Sequence, residues 1–191
     1  MTRSGGTDGL GDVQPRIPRQ SAGEQDGPRP DGADLDDRFD ADLAAAVSGA
    51  RRRAVRDGDR QIDTAHLLHS LLESDPEVRS VLGDGPRIAR LLGYLVQRSI
   101  GYGLRWQSAV EDSGAVPVVT GAAGFSPLAA AATEDACARA ARRGAARACG
   151  VDLLAALVAD PQARAVEVLA RAAVEPPTVL ARVEQHFEPA P

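Results

Sequence analysis

The chain contains no lysine: all 22 of its basic residues are arginine. No Schiff-base lysine is therefore available to catalysis, and neither is the lysine of a phosphate-binding Gly-x-x-x-x-Gly-Lys loop. Cysteine is nearly as scarce. Cys137 and Cys149 are too few for a disulfide scaffold and read as small apolar residues on neighbouring helices, which suits a reducing cytoplasm. No uncharged apolar run approaches the ~18 residues needed to span a bilayer. The N-terminal "MTRSGGTDGLGDV" has no apolar stretch of the signal-peptide kind. The expectation is a cytoplasmic protein without a membrane segment.

What remains is 191 residues at formal net charge -5. That length makes one ordinary domain or two small ones, enough to bury a core. The acidic balance argues against a dedicated DNA-binding protein, while a local basic face stays open. Residues 1–37, rich in Gly, Asp, Pro, Arg and Gln, have almost nothing to bury and read as a disordered tail.

From Phe39 the pattern turns helical. In "DADLAAAVSGARRRAVR", Leu43, Ala46, Val47, Ala50 and Ala54 share one face, and Asp57-Gly58-Asp59 stops the helix. Next, "IDTAHLLHSLLES" has Thr64 or Asp63 as N-cap and a stripe of Leu67, Leu68, Leu71 and Leu72. Asp75-Pro76 opens a short third helix ending near Gly83, and "PRIARLLGYLVQRSI" supplies a fourth. Residues 101–124, with recurrent Gly and Pro, form a long connection in which "VPVV" could pair briefly as a strand. Then the order returns. Ser126-Pro127 starts a helix, "CGVDLLAALVAD" parallels "DTAHLLHSLLES", and Asp160-Pro161 parallels Asp75-Pro76. "AVEVLARAA" and "PPTVLARVEQHF" complete the set. Phe39 and Phe125 are 86 residues apart, as are His66 and Asp152, which predicts a duplicated four-helix unit whose halves pack together.

These residues resemble a known family. A phenylalanine, an Ala-rich helix, a turn, then Ile62-Asp63-Thr64-Ala65-His66-Leu67-Leu68-His69-Ser70-Leu71 is similar to the double Clp repeat at the N-terminus of Clp-type AAA+ unfoldases, the ClpC type above all. There the motif reads Ile-Gly-Thr-Glu-His-Ile-Leu-Leu-Gly-Leu. Phe125-Ser126-Pro127 resembles the family's Phe-Thr-Pro, and the resemblance covers about residues 39 to 187. It implies a domain that receives adaptors, substrates and small molecules for an ATPase ring. No ring motif is present here, so the expectation is a stand-alone, non-catalytic Clp N-domain-like protein.

The resemblance also marks departures. The glutamate that helps form the ClpC-type pocket for phosphorylated arginine falls at Ala65 and Val151, neither of which can pair with a guanidinium. Repeat 2 has Gly150 for threonine and Asp152 for histidine. Phe125 and Glu134 match a region of the family that contributes to adaptor and ligand binding, but the basic partner expected near Glu134 falls at Ala130.

Read as chemistry, the motifs give little. His66 and His69 stand three apart on a helix and could share a metal, but a stable site needs three or four ligands and His186 lies at the far end. His66 is better read as a helix-start histidine whose ring hydrogen-bonds nearby backbone or packs against the other repeat, and His69 as a surface or boundary residue. Neither cysteine has a histidine near it in the motif, and no Gly-x-Ser-x-Gly or His-Glu-x-x-His occurs. Arg51-Arg52-Arg53 with Arg56, and Arg142-Arg143, read as solvated helix flanks. The lack of interleaved aromatics weighs against nucleic acid. Trp106 and Tyr102, in the connection, either tuck it onto the helices or anchor a partner.

The sequence thus predicts an all-α protein: a disordered tail at 1–37, one repeat at 38–100, a connection at 101–124 and a second repeat at 125–188. It binds a protein partner (a Clp unfoldase, adaptor or client) or a small ligand through a surface marked by Phe39, Thr64, His66, Trp106, Phe125 and Glu134. No metal, cofactor or catalytic set is expected. The alternatives are a helical scaffold or ligand sensor unconnected to Clp and, less well supported, a nucleic-acid-binding module.

Overall fold

A computed structural model of the chain describes residues 37–99, 111 and 124–188. Residues 1–36 of the expected tail at 1–37, the "VPVV" strand, Tyr102 and Trp106 lie outside the described residues. Within them the chain forms eight helices: α1 Ala41–Asp57, α2 Thr64–Ser74, α3 Pro76–Leu82, α4 Gly85–Ser99, α5 Pro127–Arg142, α6 Gly150–Ala159, α7 Arg164–Arg171 and α8 Pro176–Phe187. The fold is all-α.

Side-chain caps set most of the boundaries. Asp40 accepts from the Leu43 N–H at 2.8 Å to open α1, and Gly58 ends it at a φ of 74° that costs a residue without Cβ nothing. Of the two N-cap candidates for α2, Asp63 is the cap and Thr64 is the first helical residue. Asp75 accepts from the Glu77 and Val78 N–H groups ahead of Pro76, and Ser126 accepts from Ala129 ahead of Pro127. The expected parallel between Asp75-Pro76 and Asp160-Pro161 fails. Asp160 ends α6, its carboxylate accepts from Gln162 at 2.7 Å, and the chain turns through Ala163 before α7 begins at Arg164. Ala163 provides no side-chain cap.

The second helix of each repeat is the centre of its half. Nine consecutive residues are buried in α2, Thr64 to Leu72, and nine in α6, Gly150 to Val158. A helix buried all round belongs in the middle of a core. Leu67, Leu68, Leu71, Leu72, Leu153, Leu154 and Leu157 are each at most 1 % exposed, and such leucines contribute about 1.5–3 kcal/mol apiece.

The halves are related by a pseudo-twofold visible in individual bonds. Phe39 pairs with Ala148, and Ile62 pairs with Phe125, each as an isolated parallel bridge. The Asp40 N–H donates to the Ala148 carbonyl and the Ala148 N–H to that of Arg38. The matching bonds run from Ser126 to Ile62 and from Ile62 to Gly124. Each first helix is thus strapped to the entrance of the other repeat's second helix, rather than start to start. Further out, α7 packs on α2 and α3 on α6. Arginines are exchanged in the same symmetry. Arg182 on α8 donates to the Val81 and Leu82 carbonyls at the end of α3, and Arg90 on α4 to the Ala172 carbonyl after α7. Both satisfy carbonyls that a helix end leaves without partners.

Candidate functional site

The start of α2 carries the family-like motif, and there the polar groups converge. Asp63 accepts from the His66 N–H at 2.9 Å, and His66 Nδ1 accepts from the Asp63 N–H at 3.2 Å, a reciprocal capping box. On the other side of the ring, Nε2 lies 3.1 Å from an Asp59 carboxylate oxygen and 3.9 Å from one of Asp57. His66 is fully buried, and of the two roles open to it in the sequence its ring takes the bond to nearby backbone. Asp59, Asp63 and His66 bring ligand atoms within 4.8 Å of one another. Both Asp63 oxygens are already engaged, one by the His66 N–H and the other by the Arg164 guanidinium at 2.6 Å, so an ion there would compete with one of these bonds. His69, one turn on, is buried rather than at the surface or boundary, because α2 is covered all round, and it lies beside Glu73 and Arg53. Burial first, and Arg53 second, push its pKa down to about 4.

Thr64 faces the other repeat. Its N–H donates to Glu111 Oε2 at 2.8 Å and its hydroxyl donates to Glu111 Oε1. Glu111 Oε2 also accepts from the Ser126 hydroxyl at 2.9 Å, and Oε1 from the Arg164 N–H at 2.7 Å. The Ala165 N–H donates to the Thr64 hydroxyl oxygen at 3.0 Å. One carboxylate, 5 % exposed, thus joins the starts of α2, α5 and α7. Beside it opens a pocket of about 310 Å³ whose lining includes Thr64, Leu128, Ala132, Asp135, Asp160 and Ala163.

Repeat 2 solves the same position differently. Arg143 donates to both oxygens of Asp152, one bond being 3.0 Å, and its guanidinium stacks 3.6 Å over the Phe187 ring. Asp152 also accepts from the Cys149 N–H at 3.1 Å and the Cys149 thiol at 3.4 Å. Burial above all pushes the Cys149 thiol up to about 11, and burial raises Cys137 as well. Both therefore stay protonated at neutral pH, the opposite of a nucleophilic cysteine. At Gly150 a Cβ would lie 1.9 Å from an Asp75 carboxylate oxygen, so the threonine of repeat 1 has no room here.

The remaining residues singled out in the sequence scatter. Phe39 is 2 % exposed and Thr64 1 %; Phe125 is half-buried. Glu134 takes a two-pronged pair from Arg38, both bonds 3.0 Å, on the surface. The basic partner missing at Ala130 comes from the other repeat instead. Thr64 and Phe125's neighbour Ser126 meet through Glu111, Arg38 and Glu134 join beside Phe39, and His66 points away toward Asp59. Ala65 and Val151, which stand where the resemblance places a glutamate, are fully buried. Glu111, Arg164 and Arg38 have no place in the sequence reading, because none belongs to a local motif. Their partners lie 15 to 101 positions away.

No family model and no curated protein matches the sequence. Solved structures do. The N-terminal domain of the caseinolytic protease associated chaperone ClpD from Arabidopsis thaliana is 21% identical. The match covers 78% of this chain and 94% of that one, with a TM-score of 0.59. The Hsp104 N-terminal domain from Candida albicans is 11% identical, covering 76% and 88%, at 0.57. A chain from a malarial protein secretion system is 14% identical, covering 79% and 95%, at 0.60. With the period of 86, the exchanged bridges and two buried second helices already established, the chain has the fold of a Clp-type N-terminal domain.

Proposed function

We propose that this is a non-catalytic binding protein that acts beside Clp-type ATP-dependent proteolysis, as an adaptor or as a decoy for clients, adaptors or small ligands of an unfoldase. The observation that carries the reading is the combination of a Clp N-domain fold with an inter-repeat surface still organised for binding. Half-buried Phe125 and the Arg38–Glu134 pair lie where the repeats meet, and the pocket is formed by α5, α6 and the turn before α7 of the second repeat with Thr64 of the first. Phe39 is buried beside the Arg38–Glu134 pair, Thr64 lines the pocket, His66 closes the cap of the helix that carries Thr64, and Trp106 is the aromatic of the connection that would reach a partner. Both thiols are held protonated by burial, which supports a role without nucleophilic chemistry. Among the described residues no helix is long and apolar enough to cross a membrane.

Affinity capture from a lysate, with Clp subunits and their clients quantified, tests this. Their enrichment, lost in Phe125→Ala, is the expected result. Their absence beside a reproducible unrelated partner sinks it in favour of a helical scaffold or sensor outside the Clp machinery. The loss of the glutamates at Ala65 and Val151 is the feature that favours that second reading. Nucleic acid fits less well, because Arg53 and Arg143 are already taken by Glu73 and Asp152. No binding at low salt removes it.

A further inference from the structure

The carboxylate of Glu111 is placed as a bound anion would be. Both its oxygens accept two bonds, from two backbone N–H groups and two hydroxyls. The donors belong to three helix starts on both repeats. Helix N-termini attract negative charge through their orphan N–H groups and the macrodipole. α7 has particular need of it, since Ala163 offers no cap and the first N–H of that helix goes to Glu111 instead. The comparison with α3 isolates the point. There Asp75 caps its own helix with one oxygen while the other rests against Gly150, so the corresponding cleft of repeat 2 is filled from within the helix start. In repeat 1 the filling comes from the connection between the repeats, by a side chain 47 residues from Thr64 and 53 from Arg164. The pocket next to it is lined by Thr64, one of the donor residues, and by Ala163 just before α7, so it opens on one side of the cleft.

We propose that Glu111 is a built-in occupant of an anion cleft between the repeats, an autoinhibitory contact that keeps external anions out and the two halves in register. Ligands bearing a carboxylate or phosphate gain the cleft only when this side chain leaves. The proposal does not depend on a Clp partner, so it stands or falls apart from the adaptor reading.

The test is chemical rescue in the full chain. Glu111→Ala is melted in acetate, in inorganic phosphate and in chloride, all at one ionic strength, beside the unaltered protein. The expected result is a lower Tm for the variant, a concentration-dependent rise in acetate or phosphate but not chloride, and no such rise for the unaltered chain. The rescue disappears in Thr64→Ala/Glu111→Ala. A variant that no anion rescues, or an unaltered chain that gains equally, overturns the proposal and leaves Glu111 as a structural strap. Should Glu111→Ala not fold, Glu111→Gln keeps the shape and removes the charge. The Thr64 and Arg164 amides then exchange with solvent on the order of tenfold faster, the loss expected for bonds to a charged acceptor. Protection equal to the unaltered protein shows that charge is immaterial and overturns it too.

Discussion

Placed one over the other, the two repeats share a backbone plan and exchange the charges that satisfy it. Position for position at a spacing of 86, Asp57 faces His66 in the first repeat, and Arg143 faces Asp152 in the second. The acidic member sits before the helix in one case and on it in the other. His66 closes a capping box with Asp63, while Asp152 receives the N–H and thiol of Cys149. What both retain is a polar side chain at the third residue of a buried helix that reaches back to the cap. The burial of that helix demands it, because an unsatisfied donor there costs about 1–3 kcal/mol. The chemistry at the position is interchangeable; the satisfied donor is not.

The largest expected effect comes from breaking the second solution. Asp152→Ala strands Arg143, whose side chain is 28 % exposed, and leaves the Cys149 N–H without its acceptor. Removing one partner of a buried pair costs about 3–5 kcal/mol, and the partial exposure of Arg143 places the loss near the lower end. Urea unfolding checks it. Importing the other repeat's solution, Arg143→Asp with Asp152→His, recovers part of the loss only if the two pairs are equivalent. A double-mutant cycle with no coupling breaks the comparison.

A second difference is titratable. His69 has Ala155 as its counterpart, and its folded pKa is depressed to about 4 from 6.5. Above about pH 6.5 the group is neutral in both states and stability does not change with pH on its account. Below it the unfolded chain takes up a proton that the folded one refuses, so stability falls as pH drops and levels off below about 4. The loss is at most about 3 kcal/mol. His69→Gln flattens this limb of the pH–stability curve. A curve unchanged by the substitution contradicts the assignment.

The repeats also differ in how closely the other half approaches. Gly150→Thr restores the residue that repeat 1 has at Thr64, but the new Cβ meets the Asp75 carboxylate. Forced overpacking of this kind costs about 1–3 kcal/mol. Combining it with Asp75→Ser, which keeps a capping oxygen for α3, recovers much of the loss in thermal melts. A tolerated Gly150→Thr would mean that the two clefts are alike after all.

Much of this contrast was written in the sequence, though not all of it legibly. The leucine stripes, the caps at Asp63, Asp75 and Ser126 and the period of 86 are local patterns, and the helices follow from them. Asp152 is visible as a departure from histidine, but Arg143 reads as a solvated flank until the fold brings it over Asp152. Asp160-Pro161 looks like Asp75-Pro76, yet its carboxylate bonds the Gln162 N–H within a turn and the helix waits until Arg164. Glu111 could not be found by pattern at all. It lies in a stretch without periodicity, and its partners are 15 to 53 residues away. Local rules reach the elements and their ends. Satisfaction of buried polar groups across the pseudo-twofold is decided only once the halves are packed.

The smallest effect on stability is expected where the surface is most asymmetric. Arg38 and Glu134 join the repeats by two bonds of 3.0 Å, while the positions related by the pseudo-twofold are Gly124 and Ser48, which can form no ion pair. Geometry alone would suggest a strong link. The side chains are 45% and 58% exposed, however, and exposed pairs contribute about 0–1 kcal/mol because water screens them and ordering two long side chains costs entropy. Glu134→Ala should therefore shift the urea midpoint little, and the shift should shrink further with salt. If the pair belongs to the surface that receives a partner, the same substitution weakens capture far more than it weakens folding. A loss of binding with stability kept places Glu134 at the interface, whereas equal losses in both make the pair no more than a strut between the repeats.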